Sequence, residues 1–305
     1  MSSYSSAART NLTSQSVHIT SNKLGEGAFR VAYEGAIFFL NLACIRTLLK
    51  TSIVDLTPSR SFYLIRFNLT GIYKGGNRNQ QEAACKCFKS IFRGLENEFF
   101  ADDFRVADKA IDIAEDWNSI VEEDEKILMT KGDVMKKNGI KYLVEPFIRY
   151  WTKYTSNNGW ICSNEGWQGQ AMEAFSHYSY HRTGGSLIVC DLQGRYRHDA
   201  RKMKKCRFEL TDPAICSRRR SFGPTDLGEK GIHSFFANHR CNHFCNIGGT
   251  RWQRPRDAQQ WFPVSEGTSM ISSLLSGKLA LQSSAKFKLG QMDMIEEDFD
   301  SDSDY

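Results

Sequence analysis

The spacing of apolar and polar residues predicts a chain that begins with a sheet and continues into a long helix. Residues 61–73 are rich in β-favouring side chains, and residues 83–88 form an apolar stretch that a single lysine, Lys86, interrupts. Between residues 97 and 121 apolar side chains recur every three or four positions with acidic residues between them, which is the period of an amphipathic helix. We therefore predict that this helix packs against the early sheet.

The second half of the sequence alternates between strand and helix signals. Residues 142–147 form an apolar strand that a proline ends, and residues 187–190 form a short strand that runs into the polar cluster 191–194. Residues 166–175 and 232–238 are predicted to be helices. The second half is therefore predicted to contain both strands and helices.

Three metal-binding side chains lie within seven consecutive residues, namely His239, Cys241 and Cys245. A structural Zn²⁺ is almost always four-coordinate, so a fourth ligand must come from a distant segment. His177 is the best candidate, because a zinc held there would brace the base of the strand that ends at Asp191. Without the downstream cysteines, His177 would be interpreted as an ordinary buried histidine.

Five strings occur in a fixed order along the chain: FSHYSY, IVCDLQG, TDPAI, FGPTDLGEKGI and HRCNHFC. Together they resemble the catalytic half of the alpha-kinases, a family of atypical protein kinases. The resemblance extends from about residue 23 to 246 and is clearest after residue 142. It implies a two-lobed α+β fold of protein-kinase type with ATP between the lobes and a structural zinc in the C-terminal lobe. The implied activity is phosphorylation of serine or threonine in a protein substrate.

The resemblance also implies roles for residues of the N-terminal lobe. Gly25 and Gly27 would form a turn that approaches the nucleotide phosphates, together with Arg30. Lys86 would hold the α- and β-phosphates, and Glu145 would lie near adenine at the hinge between the lobes. Considered alone, the glycines would be an ordinary turn and Lys86 a strand-end lysine, with the nearby Lys89 as the other candidate for the phosphate-binding lysine.

In the C-terminal lobe the resemblance implies that Lys153 neutralises the γ-phosphate and that Asp191 orients the acceptor hydroxyl. Gln193 and Asp212 would hold Mg²⁺, a hard ion that prefers oxygen ligands. The alternative for Asp191 is a residue that only caps a strand end. Twenty residues separate Asp191 from Asp212, about twice what the family leads us to expect, and the excess is the basic run 195–207.

The resemblance and the composition divide the chain into three parts. The Ser-rich start is predicted to be disordered, the alpha-kinase domain has an N-terminal and a C-terminal lobe, and a C-terminal extension ends in an acidic, disordered tail. The stretch 35–62 has no counterpart in the family. The boundaries are 1–14, 15–250 with lobes 15–144 and 145–250, and 251–305.

The overall composition, 41% hydrophobic and 25% charged, is that of an ordinary globular protein. Apolar runs stay below the roughly 18 to 20 residues of a membrane span, and the first residues lack a signal-peptide pattern. The nine cysteines show no disulfide framework, which favours a reducing compartment. We therefore predict an intracellular, cytoplasmic protein without a membrane partner. His233 and His243 also lie near Cys241 and Cys245 in sequence but are not part of the predicted ligand set.

The net charge of +5 conceals two opposite poles. Residues 195–207 carry seven basic side chains, and residues 293–304 carry seven acidic ones. A second hypothesis is therefore a catalytically inactive, zinc-braced binding module that uses the basic run to bind acidic protein, nucleic acid or the chain's own tail. Few aromatic residues lie among these basic ones, which argues against nucleic acid. The sequence leaves the protein substrate and the oligomeric state open.

Overall fold

A computed structural model describes eight segments of the chain, the first four by their backbone alone. The segments are residues 16–26, 31–33, 36–38, 66–74, 81–88, 96–197, 207–264 and 269–270. Several predicted features lie outside the described residues. These are Gly27, Arg30, Lys89, most of the stretch 35–62, the middle of the basic run, the first 14 residues and the acidic tail.

The described strands and helices alternate in the order that the sequence pattern indicates. The strands are β1 (Ser16–Glu26), β2 (Val31–Tyr33), β3 (Ala36–Phe38), β4 (Arg66–Lys74), β5 (Glu82–Phe88), β6 (Ile127–Met129), β7 (Asp133–Lys137), β8 (Ile140–Pro146), β9 (Thr152–Lys153), β10 (Leu187–Cys190), β11 (Gln193–Arg197), β12 (Arg207–Thr211) and β13 (Ala214–Ser217). The helices are α1 (Glu96–Asn118), α2 (Gly166–Arg182) and α3 (Glu229–Asn238), with short 3-10 turns at Glu123–Glu125 and His243–Asn246.

The N-terminal lobe is built on a five-stranded sheet in the order β1-β4-β5-β8-β7, with antiparallel neighbours throughout. Successive side chains of a strand point to opposite faces of the sheet. On β5 this period buries Ala83 and Cys85 against Val144 of β8. Lys86 follows Cys85 directly in sequence and therefore points to the other face, so this central strand places one lysine among mostly apolar residues.

Helix α1 packs against both lobes rather than against the early sheet alone. Its first turn places Phe99 and Phe100 on Phe88 of β5, with ring centroids 5.3 and 5.2 Å apart. At its other end Trp117 is fully buried, and its ring lies 5.7 Å from that of Phe175 in the C-terminal lobe. The predicted contact with the sheet is therefore present, and the same helix joins the two lobes.

The C-terminal lobe contains a four-stranded sheet in the order β6-β12-β11-β9 and a separate antiparallel pair, β10-β13. Only β6 and β12 run parallel in the four-stranded sheet. The core between this sheet and helices α1 and α2 includes the fully buried Phe175, Leu192 and Phe208. Trp252 from the C-terminal extension completes this core beside Trp117. Helices long and apolar enough to cross a membrane do not occur among the described residues.

Trp117→Ala is expected to lower the free energy of unfolding by about 3–5 kcal/mol, because it leaves a large cavity between the lobes. The indole also donates a hydrogen bond to the Glu125 carbonyl oxygen over 2.9 Å, and this bond is lost. Denaturant unfolding followed by circular dichroism measures the change. The matched control is Trp151→Ala, since that indole is 57% exposed, and its effect should stay within about 0.5 kcal/mol. Equal effects of the two substitutions would contradict this account of the core.

Candidate active site and metal centre

Lys86 lies between two carboxylates at the junction of the lobes. Its Nζ is 2.6 Å from Oε2 of Glu145 on β8 and 3.2 Å from Oδ1 of Asp212, which follows β12. The side chain of Glu145 is 7% exposed, whereas that of Asp212 is 45% exposed. A largely buried ammonium group needs such partners, because desolvation disfavours an unpaired charge. The residue expected near adenine, Glu145, is therefore the buried partner of the candidate phosphate-binding lysine.

A second ion pair joins the end of β9 to the end of β10. Nζ of Lys153 lies 2.9 Å from Oδ1 of Asp191, and both side chains are more than nine-tenths buried. Oδ1 accepts no well-aligned hydrogen bond. Asp191 has a φ of 58°, a left-handed conformation that is uncommon outside glycine and that is often found at functional sites.

The backbone of Leu192 fastens this second pair in place. Its carbonyl oxygen accepts hydrogen bonds from the amides of Tyr154 and Thr155 over 2.8 and 3.3 Å. In return the Leu192 amide donates to the Thr155 hydroxyl over 3.2 Å. Leu192 is completely buried, so the chain on either side of Asp191 has little freedom to move away from Lys153.

Gln193 is placed next to both pairs by strand register. It lies opposite Lys153 on β9 and opposite Thr211 on β12. Its Nε2 donates to the backbone carbonyl of Asp212 over 3.1 Å. The structure thus brings four predicted site residues to one edge of the C-terminal sheet, namely Lys86, Lys153, Gln193 and Asp212. Asp191 joins them through its ion pair with Lys153.

The long separation between Asp191 and Asp212 does not move these residues apart. Strands β11 and β12 are antiparallel partners over five residues each, so the extra sequence lengthens a hairpin whose open end holds the site. Gly194 permits this close pairing, since a Cβ there would lie 2.0 Å from the Glu209 carbonyl oxygen. Gln193 and Asp212 therefore lie at the end of the strand pair that is remote from Arg197 and Arg207.

Two cations of the basic run are neutralised within the same hairpin. Arg195 and Arg197 lie 2.8 and 3.0 Å from the carboxylate oxygens of Glu209. Burial raises the pKa of Glu209, but the hydrogen bonds from the two arginines outweigh it and the net pKa is lowered. The carboxylate is therefore charged and bound near neutral pH, which reduces the positive charge that the run presents.

The candidate phosphate-binding turn is only partly described. Gly25 lies in β1 opposite Asn68 of β4, and Asn68 in turn lies opposite Lys86 of β5. The backbone at Gly25 is thus two strands away from the candidate phosphate-binding lysine. Gly27 and Arg30 are outside the described residues, and their roles stay predictions.

His177, His239, Cys241 and Cys245 meet in one cluster, with ligand atoms all within 4.8 Å of one another. His177 Nδ1 lies 3.1 Å from His239 Nε2 and 3.7 Å from Cys241 Sγ, and Cys245 Sγ lies 3.5 Å from His239 Nε2. Tetrahedral zinc with ordinary bond lengths requires roughly 3.3 Å between nitrogens and roughly 3.6 Å between nitrogen and sulfur. The donor set and its spacing therefore fit Zn²⁺.

Both histidines of the cluster are oriented through their other ring nitrogen. His239 Nδ1 lies 3.0 Å from a Glu173 carboxylate oxygen, and His177 Nε2 lies 2.9 Å from the Gln253 carbonyl oxygen. Such outer partners are typical of metal-bound histidine. Burial lowers the pKa of His177 to about 4, so its imidazole is neutral, as a ligand must be. Burial also raises the pKa of the Cys245 thiol to about 12, so a thiolate there requires a nearby cation.

The other two histidines near Cys241 and Cys245 in sequence lie outside this cluster. His243 is exposed and packs its ring on Phe244, with centroids 3.9 Å apart. His233 Nδ1 is hydrogen-bonded to the Asp257 carbonyl oxygen over 3.0 Å. Neither residue belongs to the group of four clustered ligand atoms, and Nδ1 of His233 has a different partner.

Asp226, in the loop before α3, is a fully buried carboxylate whose role was not predicted from the sequence. It accepts hydrogen bonds from the Ser217 amide over 2.8 Å, the Ser217 hydroxyl over 2.6 Å and the Gly228 amide over 2.9 Å. Phe222 donates a further, longer bond of 3.2 Å. This one carboxylate therefore fixes the loop between β13 and α3. A single aspartate among turn residues carries no sequence signal for this role.

Asn157 was interpreted as a turn residue, yet its side chain is buried and fully engaged. Nδ2 donates to the carbonyl oxygens of Thr225 and Met270, each over 2.8 Å, and Oδ1 accepts from the Met270 amide over 2.7 Å. These three hydrogen bonds join Asn157 to two segments that are distant in sequence. No local sequence pattern indicates such a contact.

These features define a two-lobed protein of kinase-like architecture, with lysines and carboxylates between the lobes and a His/Cys cluster behind them. A sequence model described as the Alpha-kinase family matches residues 25–245. The chain therefore belongs to the alpha-kinase family, and the prediction of family and fold class from the sequence is confirmed.

Individual relatives match shorter parts of the chain. Mouse transient receptor potential cation channel subfamily M member 6 is 39% identical over 34% of this chain. Alpha-protein kinase vwkA of Dictyostelium discoideum is 30% identical over 57% of this chain. The matches span only 5% and 25% of these two proteins.

Solved structures agree on the architecture. The alpha-kinase domain of myosin-II heavy chain kinase A in complex with AMP-PNP aligns with a TM-score of 0.54, covering 78% of this chain and 89% of that chain. An inactive form of the same domain complexed with ATP aligns with the same TM-score. At 18% sequence identity these likenesses establish the fold.

Asp226→Asn is expected to lower the free energy of unfolding by about 2–3 kcal/mol, since an amide nitrogen would face donors that now bind a carboxylate oxygen. Thermal and denaturant unfolding measure the loss. Glu229→Gln is the matched control, because that carboxylate is 62% exposed. If both variants unfolded with wild-type stability, the buried carboxylate would not be what holds the loop.

Proposed function

We propose that this chain is an ATP-dependent serine/threonine protein kinase of the alpha type, which transfers the γ-phosphate to a protein hydroxyl. The observation that carries the proposal is a set of two ion pairs at the junction of the lobes. One joins Lys86 to Asp212, and the other is the buried pair of Lys153 and Asp191. Membership of the alpha-kinase family supports it. Phosphoryl transfer depends on positioning and charge stabilisation, which this set of residues supplies.

Lys86 binds the α- and β-phosphates, and Glu145 keeps it in place. Of its two partners, Glu145 is buried and Asp212 is half exposed. A phosphate oxygen can therefore replace Asp212 on the lysine without exposing Glu145. Gly25, Gly27 and Arg30 form the predicted turn beside the phosphates.

Asp212 and Gln193 supply oxygen ligands for Mg²⁺. The Asp212 carboxylate is accessible, and Nε2 of Gln193 is engaged with a backbone carbonyl, which leaves Oε1 as the ligand atom. Both are hard oxygen donors of the kind that Mg²⁺ prefers. Bound Mg²⁺ neutralises charge on the phosphates.

Asp191 acts on the acceptor hydroxyl, and Lys153 acts on the γ-phosphate. Oδ1 of Asp191 has a lysine at 2.9 Å and no well-aligned hydrogen bond, so it can accept a proton. As the acceptor oxygen bonds to the γ-phosphorus, the bond from that phosphorus to the bridging oxygen of ADP breaks and the hydroxyl proton passes to Asp191. Lys153 stabilises the negative charge that develops beside it.

His177, His239, Cys241 and Cys245 hold one structural Zn²⁺. Four protein ligands leave no position for water, whereas a catalytic zinc keeps one open. The metal ties α2 to the segment after α3, so it contributes to folding of the C-terminal lobe rather than to the reaction.

The rival hypothesis is an inactive binding module that uses the basic run 195–207. Two of the seven cations of that run, Arg195 and Arg197, are paired with Glu209. The charge available for an acidic partner is correspondingly smaller. Calorimetric measurement of ATP binding in the presence of Mg²⁺ distinguishes this hypothesis from the kinase.

Asp191→Asn should lower turnover about 10²–10⁴-fold because the proton acceptor is lost, while the dissociation constant for ATP changes little. The variant also leaves the buried Lys153 without its charged partner, so circular dichroism must first show that it is folded. Lys86→Ala should weaken ATP binding as well as turnover. The assay uses radiolabelled ATP with a generic basic protein substrate, and calorimetry measures ATP binding with Mg²⁺ present.

The control for these variants is Lys109→Ala, an exposed helix lysine paired with Asp112, which should behave as wild type. If the wild-type chain bound no ATP in the presence of Mg²⁺, the kinase proposal would be lost and the binding module would replace it.

His177→Ala should release zinc and unfold the C-terminal lobe, since metal binding at structural sites contributes on the order of 10 kcal/mol. Elemental analysis gives the zinc content, and near-ultraviolet circular dichroism reports on packing around the buried tryptophans. The matched control is His243→Ala, which removes an exposed histidine between Cys241 and Cys245. This variant should retain one zinc per chain. The reverse pattern, with zinc lost only from the His243 variant, would show that the ligand set is wrong.

A further inference from the structure

Ser269 is buried against the candidate catalytic pair although it lies beyond the region that the family model matches. It is 2% exposed, and its hydroxyl oxygen accepts a hydrogen bond from Lys153 Nζ over 2.8 Å. The same Nζ lies 2.9 Å from Oδ1 of Asp191. A hydroxyl of the chain itself therefore shares one ammonium group with the carboxylate that would take the acceptor proton.

The residue after this serine is held by its backbone. Asn157 donates from Nδ2 to the Met270 carbonyl oxygen over 2.8 Å and accepts at Oδ1 from the Met270 amide over 2.7 Å. This two-point contact is what a neighbouring strand would offer to an extended peptide. Asn157 is itself fixed by the bond from Nδ2 to the Thr225 carbonyl oxygen.

The Met270 side chain fills an apolar site beside the clamp. It packs with Ile161 and Phe262 against the core cluster that contains Phe235 and Phe236. The backbone contacts do not depend on the identity of residue 270, but the apolar site favours an apolar side chain at that position. The arrangement therefore favours a hydroxyl residue followed by an apolar residue.

We propose that Lys153, Asn157 and the Thr225 carbonyl form the acceptor groove of the kinase, and that Ser269–Met270 occupies it in cis as an intramolecular substrate. This inference rests on the proposed kinase activity. The Ser269 oxygen forms a bond to the γ-phosphorus of ATP, the bond to the bridging oxygen breaks, ADP leaves, and the hydroxyl proton passes to Asp191. Asn157 acts as a positioning residue that sets the hydroxyl on Lys153.

Two consequences separate this arrangement from an ordinary surface contact. Phosphorylation within one chain is first order, so the fraction of chains phosphorylated per unit time does not depend on protein concentration. A tethered segment also acts at a local concentration in the millimolar range. An added acceptor peptide then binds only in the fraction of molecules whose groove is free, which raises its apparent dissociation constant.

The test uses the full chain incubated with radiolabelled ATP over a wide range of protein concentrations, with sites mapped by mass spectrometry. The fraction of chains labelled at Ser269 per unit time should be the same at every protein concentration. Ser269→Ala should lose that label, whereas Ser272→Ala, the matched control three residues away, should keep the label at Ser269. If instead the fraction labelled at Ser269 per unit time rose in proportion to protein concentration, transfer would occur between molecules and the inference would be overturned.

A binding measurement tests the groove without catalysis. A fluorescent peptide of residues 265–275 is titrated into the full chain, and Met270→Asp should bind it about tenfold more tightly than wild type because a buried charge expels the tethered segment. Ser272→Asp should bind it like wild type. Equal affinities for wild type and Met270→Asp would overturn the inference.

Different results would contradict the kinase activity and the role of Ser269 as a substrate in cis. Phosphorylation of an added protein substrate without label on Ser269 would leave the kinase standing and remove the cis substrate. Absence of both ATP binding and phosphate transfer would remove the kinase, and the cis substrate with it.

Discussion

The buried ion pair between Lys153 and Asp191 is the constraint on which the rest of the C-terminal lobe depends. Removing two charges from water costs several kcal/mol for each ion, and the cost is offset only where the geometry is fixed and the remaining polar atoms have partners. Here the geometry is fixed by the backbone of Leu192, which binds Tyr154 and Thr155 beside the lysine. The pairing of β9 with β11 is therefore part of the site.

The metal cluster is connected to this ion pair through helix α2. His177 provides a ligand atom from that helix, and Ser179, two residues later, accepts a hydrogen bond at its hydroxyl from the Val189 amide over 2.8 Å. Val189 belongs to β10, the strand that ends just before Asp191. A displacement of α2 would therefore move the strand that presents the carboxylate. This contact gives a physical path for the bracing expected from the sequence.

Elements whose pattern is local could be predicted from the sequence, and contacts between distant segments could not. The apolar stretch around Lys86 and the periodicity of residues 97–121 fix β5 and most of α1, since each is set by neighbours along the chain. The roles of Asn157 and Asp226 were missed because their partners belong to other loops. The packing of α1 on both lobes was missed for the same reason, as periodicity identifies a buried face but not what covers it.

The two carboxylates on Lys86 show how the lobes can respond to a nucleotide. Glu145 belongs to the same sheet as Lys86 and is buried, so this pair is internal to the N-terminal lobe. Asp212 belongs to the other lobe and is accessible, so its contact with Lys86 joins the two lobes. If Lys86 binds phosphate as proposed, the phosphate either shares the ammonium group with Asp212 or displaces it, and a displaced Asp212 would be free to hold a cation beside the same phosphate. One exchange at Lys86 would thus couple nucleotide binding to assembly of the metal ligands.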